Sequence, residues 1–131
     1  SPLCQGVLTG KYQPGKKLPA NSRATDKNSL VGGAEFITGW LREDVLTAVQ
    51  KLKPIAADLD ISMAQLALAW VLNNANVSSA IMGATSPAQV KDNAKGAGIK
   101  LTSDVVSEMN KILNGLAETD PKKNQSPNPR A

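Results

Sequence analysis

The sequence predicts part of an α/β protein, and three observations carry that prediction. The apolar run Val77-Ser78-Ser79-Ala80-Ile81-Met82 reads as a short buried strand. A glycine turn and a capped helix start follow it directly. Residues 66–72 are apolar on every side, which implies burial all round. Two strands alone could not make a sheet that covers such a helix on both faces, so the expected order of strand, long loop, two helices, strand and two helices is incomplete as a layered domain.

The elements follow in order. Residues 1–12 mix small residues with glycines and read as a strand end running into a loop. Residues 13–39 carry Pro14-Gly15, Pro19, Asn21-Ser22, Asn28-Ser29 and Gly32-Gly33, the turn chemistry of a long polar loop. Loops of that length in a compact domain are usually functional or mobile. From Asp44, apolar residues recur at helical spacing through Val45, Val49, Leu52, Ile55 or Ala56, and Leu59, and Pro54 should kink or split the helix near Lys53. Ser62 and Gln65 form a capping box at the start of the next helix, which Asn73-Asn74 ends. Trp70 belongs to its apolar body and reads as core.

After the strand at 77–82, Ser86 offers an N-cap hydroxyl, Pro87 suits the first helical position and Gln89 completes a second capping box. The turn at Gly83 thus leaves backbone N–H groups at the positive end of a helix dipole, a ready anion site. That helix should run to about Lys95, where Gly96 and Gly98 stop it. A last amphipathic helix, capped by Thr102 or Ser103, should bury Val105, Val106, Met109, Ile112 and Leu113. Residues 1–116 are expected to form the folded part and residues 117–131, with three prolines, a polar tail.

Composition narrows the function. The chain of 131 residues is 41% hydrophobic and 20% charged, which is globular in character. Its net charge of +4 permits an anionic ligand, but no basic run exceeds two residues, so a nucleic-acid patch is not expected. A helix-turn-helix over residues 55–72 fails because residues 66–72 hold no basic or amide side chain to read bases. There is no histidine, which excludes a His-based triad or a His-ligated metal within this chain. Cys4 is the only cysteine, so no intrachain disulfide or CxxC site exists. No stretch approaches the ~20 apolar residues of a membrane span. A cytoplasmic protein without membrane or nucleic-acid partners is expected.

Three phrases resemble the C-terminal portion of the aldo-keto reductase superfamily, in particular bacterial members of the branch that includes potassium-channel β subunits. The first is Ser1-Pro2-Leu3 with Gly6-Val7-Leu8-Thr9-Gly10-Lys11-Tyr12 and Ser22-Arg23. The second is Ile55-Ala56 followed by residues 64–72. The third is Val77-Ser78-Ser79, then Gly83-Ala84-Thr85 with Gln89 and Asn93.

The resemblance implies the C-terminal part of a (β/α)8 TIM barrel, helix-rich with about two short strands and not a complete barrel. It implies an NADP(H)-dependent oxidoreductase that reduces aldehydes or ketones, with a small carbonyl substrate. Ser1, Pro2, Leu3, Gly6, Thr9 and Lys11 match positions that wrap the pyrophosphate and nicotinamide ribose, with Thr9 as a hydroxyl donor. Arg23 matches an arginine that clamps the phosphates. Gly83, Thr85, Gln89, Asp92 and Asn93 match the adenosine-phosphate and adenine side. Phosphate sites of such barrels lie after strands seven and eight.

Ser86 stands where many relatives carry Arg or Lys, and Asp92 where Glu is commoner, so NAD(H) remains the alternative cofactor. Asp60 stands where relatives often have a helix-ending Gly, which should strain the backbone. The catalytic tyrosine, lysine, aspartate and histidine of the family have no counterpart here, and Tyr12 is not that tyrosine. No catalytic or metal-binding residue is therefore assigned. The chain alone is expected to be inactive, because the N-terminal part of a barrel is missing. A cofactor-sensing regulatory subunit, like the channel β subunits, is the alternative reading.

Overall fold

The computed structural model describes residues 1–26, 33–120 and 122–123. Six α-helices are present among them: α1 (Gly33–Thr38), α2 (Glu43–Lys51), α3 (Lys53–Asp58), α4 (Met63–Leu72), α5 (Pro87–Lys95) and α6 (Ser103–Ile112). Short 3₁₀ segments lie at Cys4–Thr9, Arg23–Thr25 and Gly96–Gly98.

Both expected strands are corrected. Residues 77–84 form no strand, and Ile81 is 88% exposed. A strand exists only through its ladder of backbone hydrogen bonds, and no described segment pairs with this one. Residues 1–12 hold no strand either. Cys4, Gln5 and Gly6 all take positive φ, which curls the chain into the 3₁₀ segment Cys4–Thr9. The loop at 13–39 is also shorter than expected, because it contains α1. Ile37 of that helix is fully buried, an apolar anchor hidden within a polar stretch. The turn signals at Asn28-Ser29 and Gly32 lie outside the described residues.

The helices themselves follow the local chemistry. Pro54 falls in the first turn of α3, where its missing N–H costs nothing, and α2 ends one turn earlier. The α3 end closes as a Schellman motif. Asp60 N–H donates to the Ala57 carbonyl at 3.0 Å and Ile61 N–H to that of Ala56 at 3.0 Å. Asp60 takes φ +53° there, the left-handed conformation that favours glycine.

At α4, Ser62 Oγ accepts from Gln65 N–H at 3.2 Å, and Ser62 N–H donates to Gln65 Oε1 at 3.2 Å. The capping box is complete. Thr102 caps α6. Leu66, Ala67, Leu68 and Ala69 of α4 are buried, whereas Trp70, Val71 and Leu72 are only half-buried. Trp70 nonetheless packs against the core, and its indole N–H donates to Asn110 Oδ1 at 3.0 Å.

Two apolar clusters share helix α2. Ala48 and Leu52 face Ile55, Ala56, Leu66, Met109 and Leu113, which joins α2, α3, α4 and the end of α6. Leu46 and Val49 face Val7, Tyr12 and Ile37, which joins α2 to the N-terminal segment and α1. Of the α6 residues expected in the core, Met109 and Leu113 are buried, and Val105, Val106 and Ile112 are half-buried.

Ala117, expected to open the tail, packs against the first cluster instead. Beyond it, Lys123 pairs with Glu118 at 3.1 Å. Pro121, Pro127 and Pro129 lie outside the described residues. Among the described residues, no single helix is long and apolar enough to cross a membrane.

Candidate functional site

A cleft of about 1220 Å³ runs between the N-terminal segment, the turn around Arg23, and the stretch from Ile81 through the first two turns of α5. Each of the twelve residues singled out as a contact lines it. Such cavities in proteins commonly measure about 300–1,000 Å³ for small molecules, so an extended ligand fits.

The first wall is built by Ser1, Pro2, Leu3, Gly6, Thr9 and Lys11. Gly6 takes φ +96°, and a Cβ there would meet the Lys11 Cε and Nζ at 3.4 Å. Glycine therefore both permits the turn and leaves room for the Lys11 side chain to cross it. The ammonium of Lys11 also lies 5.3 Å from the centre of the Tyr12 ring. Thr9, expected to donate its hydroxyl outward, donates instead to the Gly6 carbonyl at 2.7 Å and braces the same turn. The carbonyls of Gly10 and Tyr12 are held in turn by Gln50 Nε2, at 3.2 and 2.8 Å.

Arg23 stands on the second wall at the start of a 3₁₀ turn. Thr25 Oγ1 receives the Ser22 N–H at 3.2 Å and donates to the Pro19 carbonyl at 3.2 Å, which pins that turn. Neither Lys11 nor Arg23 forms an ion pair among the described residues, and both line the cleft together with the carboxylates of Asp26 and Asp92.

The third wall comprises Gly83, Thr85, Gln89, Asp92 and Asn93. The second capping box differs from expectation. Ser86 Oγ accepts from Gln89 N–H at 3.3 Å, but Gln89 Oε1 passes Ser86 and accepts from Thr85 N–H at 2.8 Å and Thr85 Oγ1 at 3.1 Å. One carbonyl oxygen gains two donors there, against one at Ser86. Several donors of the expected anion site are thus satisfied internally.

Asp92 is tied to α4, its oxygens receiving Ser62 Oγ at 2.9 Å and Gln65 Nε2 at 2.7 Å. Asn93 is the opposite case. It is 7% exposed, lines the cleft, and its amide makes no hydrogen bond to a described residue. Only the Tyr12 hydroxyl is a buried polar side-chain atom without a partner among the described residues, so the Asn93 amide keeps an opening through which a ligand polar group could reach it.

Sequence reasoning missed Gln5, Asn21, Ser22, Thr25, Asp26 and Ala64, which also line the cleft. Asn21 and Ser22 had a local signal, their shared turn pair, and Asn21 takes φ +55°. Tyr12 is fully buried in the second cluster, does not line the cleft, and its hydroxyl lacks a partner among the described residues. Burial pushes the Cys4 thiol above its ordinary range, which disfavours a reactive thiolate. Among the described residues, no cluster of three or more Cys, Asp or Glu could hold a metal ion.

Comparison with known proteins agrees with the three sequence phrases. The chain is 41% identical over 128 residues to a probable voltage-gated potassium channel subunit beta of Oryza sativa subsp. japonica, covering 96% of this chain and 36% of that protein. The corresponding Arabidopsis thaliana protein, also named a probable voltage-gated potassium channel subunit beta, is 39% identical over 96% of this chain and 36% of its own length. A putative voltage-gated potassium channel subunit beta of Schizosaccharomyces pombe is 38% identical over 87% of this chain and 33% of its length. The chain therefore spans about a third of the length of the curated relatives it matches. The model of the aldo/keto reductase family matches residues 1–114, the whole extent from the first wall of the cleft to the end of α6, and the chain belongs to that family.

Proposed function

We propose that the cleft binds a nicotinamide dinucleotide, NADP(H) with NAD(H) as the alternative, for a protein that reduces aldehydes or ketones to alcohols. The observation that carries this reading is the meeting of all twelve residues in one cleft, Lys11 and Arg23 among them without an ion pair to a described residue. The family supports an oxidoreductase. The described part is read as a piece of a (β/α)8 barrel, with residues 77–82 as a strand that gains its ladder in the complete protein.

When bound, the cofactor supplies a hydride to a carbonyl carbon. This chain's residues hold and orient it. Lys11 and Arg23 offer charge to the phosphates, and a planar guanidinium suits bidentate contact. Gly6 lets the backbone approach closely, while Asn93 and Gln89, one helical turn apart on α5, offer amides to the adenosine side. No proton donor for the carbonyl oxygen is assigned here, since the chain has no histidine and its single tyrosine is buried away from the cleft. Acid catalysis is assigned to residues outside this chain, and the 131 residues alone are expected to be inactive. The reading carries with it a cytoplasmic protein acting on a small carbonyl substrate, without nucleic acid or membrane.

A cofactor-sensing regulatory subunit is the second reading, favoured by the names of the relatives above. It predicts the same cleft with slow turnover. The test is a fluorescence titration of the full-length protein with NADPH. Saturable binding is expected, weakened about tenfold or more by Lys11→Met through loss of a charge-assisted contact. Absence of saturable binding by the full-length protein would overturn the proposal. Turnover with simple aldehydes then separates the two readings.

A further inference from the structure

We infer that Gln65 and Ser62, which do not line the cleft, are positioning residues for its α5 wall; this rests on the nucleotide reading above. The two side chains belong to the start of α4 and serve as its capping box, yet both also reach α5. Ser62 Oγ accepts from Gln65 N–H at 3.2 Å and donates to Asp92 Oδ2 at 2.9 Å. Gln65 Nε2 donates to Asp92 Oδ1 at 2.7 Å and to the Asp92 carbonyl at 3.0 Å, while its Oε1 accepts from Ser62 N–H at 3.2 Å. Gln65 is only 7% exposed.

The second of these bonds has a backbone cause. An unbroken helix would satisfy the Asp92 carbonyl with the N–H of Gly96, four residues on. Here α5 tightens into the 3₁₀ turn, and Gly96 N–H goes to the carbonyls of Asn93 and Ala94. The freed carbonyl is taken by Gln65. One amide therefore grips both the main chain and the side chain of the same residue, and fixes the roll of α5 about its axis.

That roll decides what the next residue faces. Asn93 follows Asp92 directly, and its largely buried side chain lines the cleft without a hydrogen bond to a described residue, with Gln89 one turn earlier on the same wall. Loosening the grip on Asp92 lets α5 rotate and withdraws both amides together. The opposite wall, around Gly6 and Lys11, is held by its own bonds from Thr9 and Gln50 and is independent of this grip. Ser62 and Gln65 thus set affinity for one end of the ligand only.

The experiment measures NADPH, adenosine 2′-phosphate and nicotinamide mononucleotide binding to the full-length protein and to Gln65→Met, which keeps the length of the side chain and removes its donors. NADPH and adenosine 2′-phosphate should each bind about tenfold more weakly, about 1.4 kcal/mol, with nicotinamide mononucleotide unchanged within about twofold. Ser62→Thr, which retains the hydroxyl, should bind all three as the parent does.

Gln65→Glu places a carboxyl against Asp92, so its loss of adenosine 2′-phosphate binding at neutral pH should recover as the pH falls and one proton is shared between the two. A merely structural role would not produce that recovery, and this variant also serves if Gln65→Met does not fold. Equal loss at both ends, or no loss at the adenosine end, refutes the positioning role while leaving the nucleotide reading intact. If the parent protein binds none of the three probes, the nucleotide reading itself fails and the inference falls with it.

Discussion

Gly96 offers a test of how tightly the α5 wall is packed on α4. It sits in the 3₁₀ turn after α5 and is buried. An added Cβ would lie 3.0 Å from Leu68 Cβ, 3.4 Å from Leu68 Cδ1 and 3.5 Å from the Gln65 Cα. The first contact is shorter than ordinary van der Waals distance, and its partner is the root of a buried side chain on a helix, not a flexible tip. Gly96→Ala must therefore push α4 and the turn apart, at an overpacking cost of about 1–3 kcal/mol. Against this, Gly96 has φ −58°, ψ −28°, which alanine adopts freely, so the reduced unfolded-state entropy returns about 0.4–1 kcal/mol.

The net expectation is a loss of about 1–2 kcal/mol. Gly98, in the same turn, has no atom within 4 Å of its would-be Cβ. Gly98→Ala should only gain, by up to about 1 kcal/mol. Urea unfolding of the two variants checks this. With slopes of about 1–3 kcal/mol/M, the midpoints should move in opposite directions by a few tenths of a molar or more. If Gly96→Ala is stabilised as much as Gly98→Ala, the argument from close packing is wrong.

Three other outcomes follow from the same structure. Asp60→Gly removes a left-handed non-glycine residue from the Schellman turn and should raise stability by up to about 1 kcal/mol in thermal or urea melts. Tyr12→Phe deletes a buried hydroxyl without a partner among the described residues, so stability should hold or rise by about 1 kcal/mol, and a clear loss would reveal a partner for that hydroxyl. The Arg42 guanidinium, 2.7 Å from Asp44, holds that carboxyl below its ordinary range. The pair's contribution is thus present above the unfolded-state pKa and lost as pH falls through the lower folded value. Arg42→Ala should move the Asp44 titration, followed by NMR, upward, and an unmoved titration would refute the pairing.

Much of the helical layout was legible from local chemistry alone. Ser62 with Gln65, Pro54, Ser86 with Pro87, and Thr102 act within one turn of backbone, so their effect is written in neighbouring residues. The residues that line one cleft were singled out through three short phrases of family resemblance. Neither Ile37 as an anchor nor the curl at Cys4-Gln5-Gly6 had such a signal. Ile37 sits in a stretch dominated by turn residues, and its burial depends on Val7, Tyr12 and α2.

By itself, then, the sequence determined the family and the starts of α3, α4, α5 and α6. Tertiary structure alone decided that residues 77–84 form no strand, because strand character needs a partner segment. It also turned the Gln65 of a capping box into the clamp on Asp92, and set the Asn93 side chain against the cleft. Those outcomes rest on residues 27 and more positions apart, and such distances are set by packing, not by neighbouring chain.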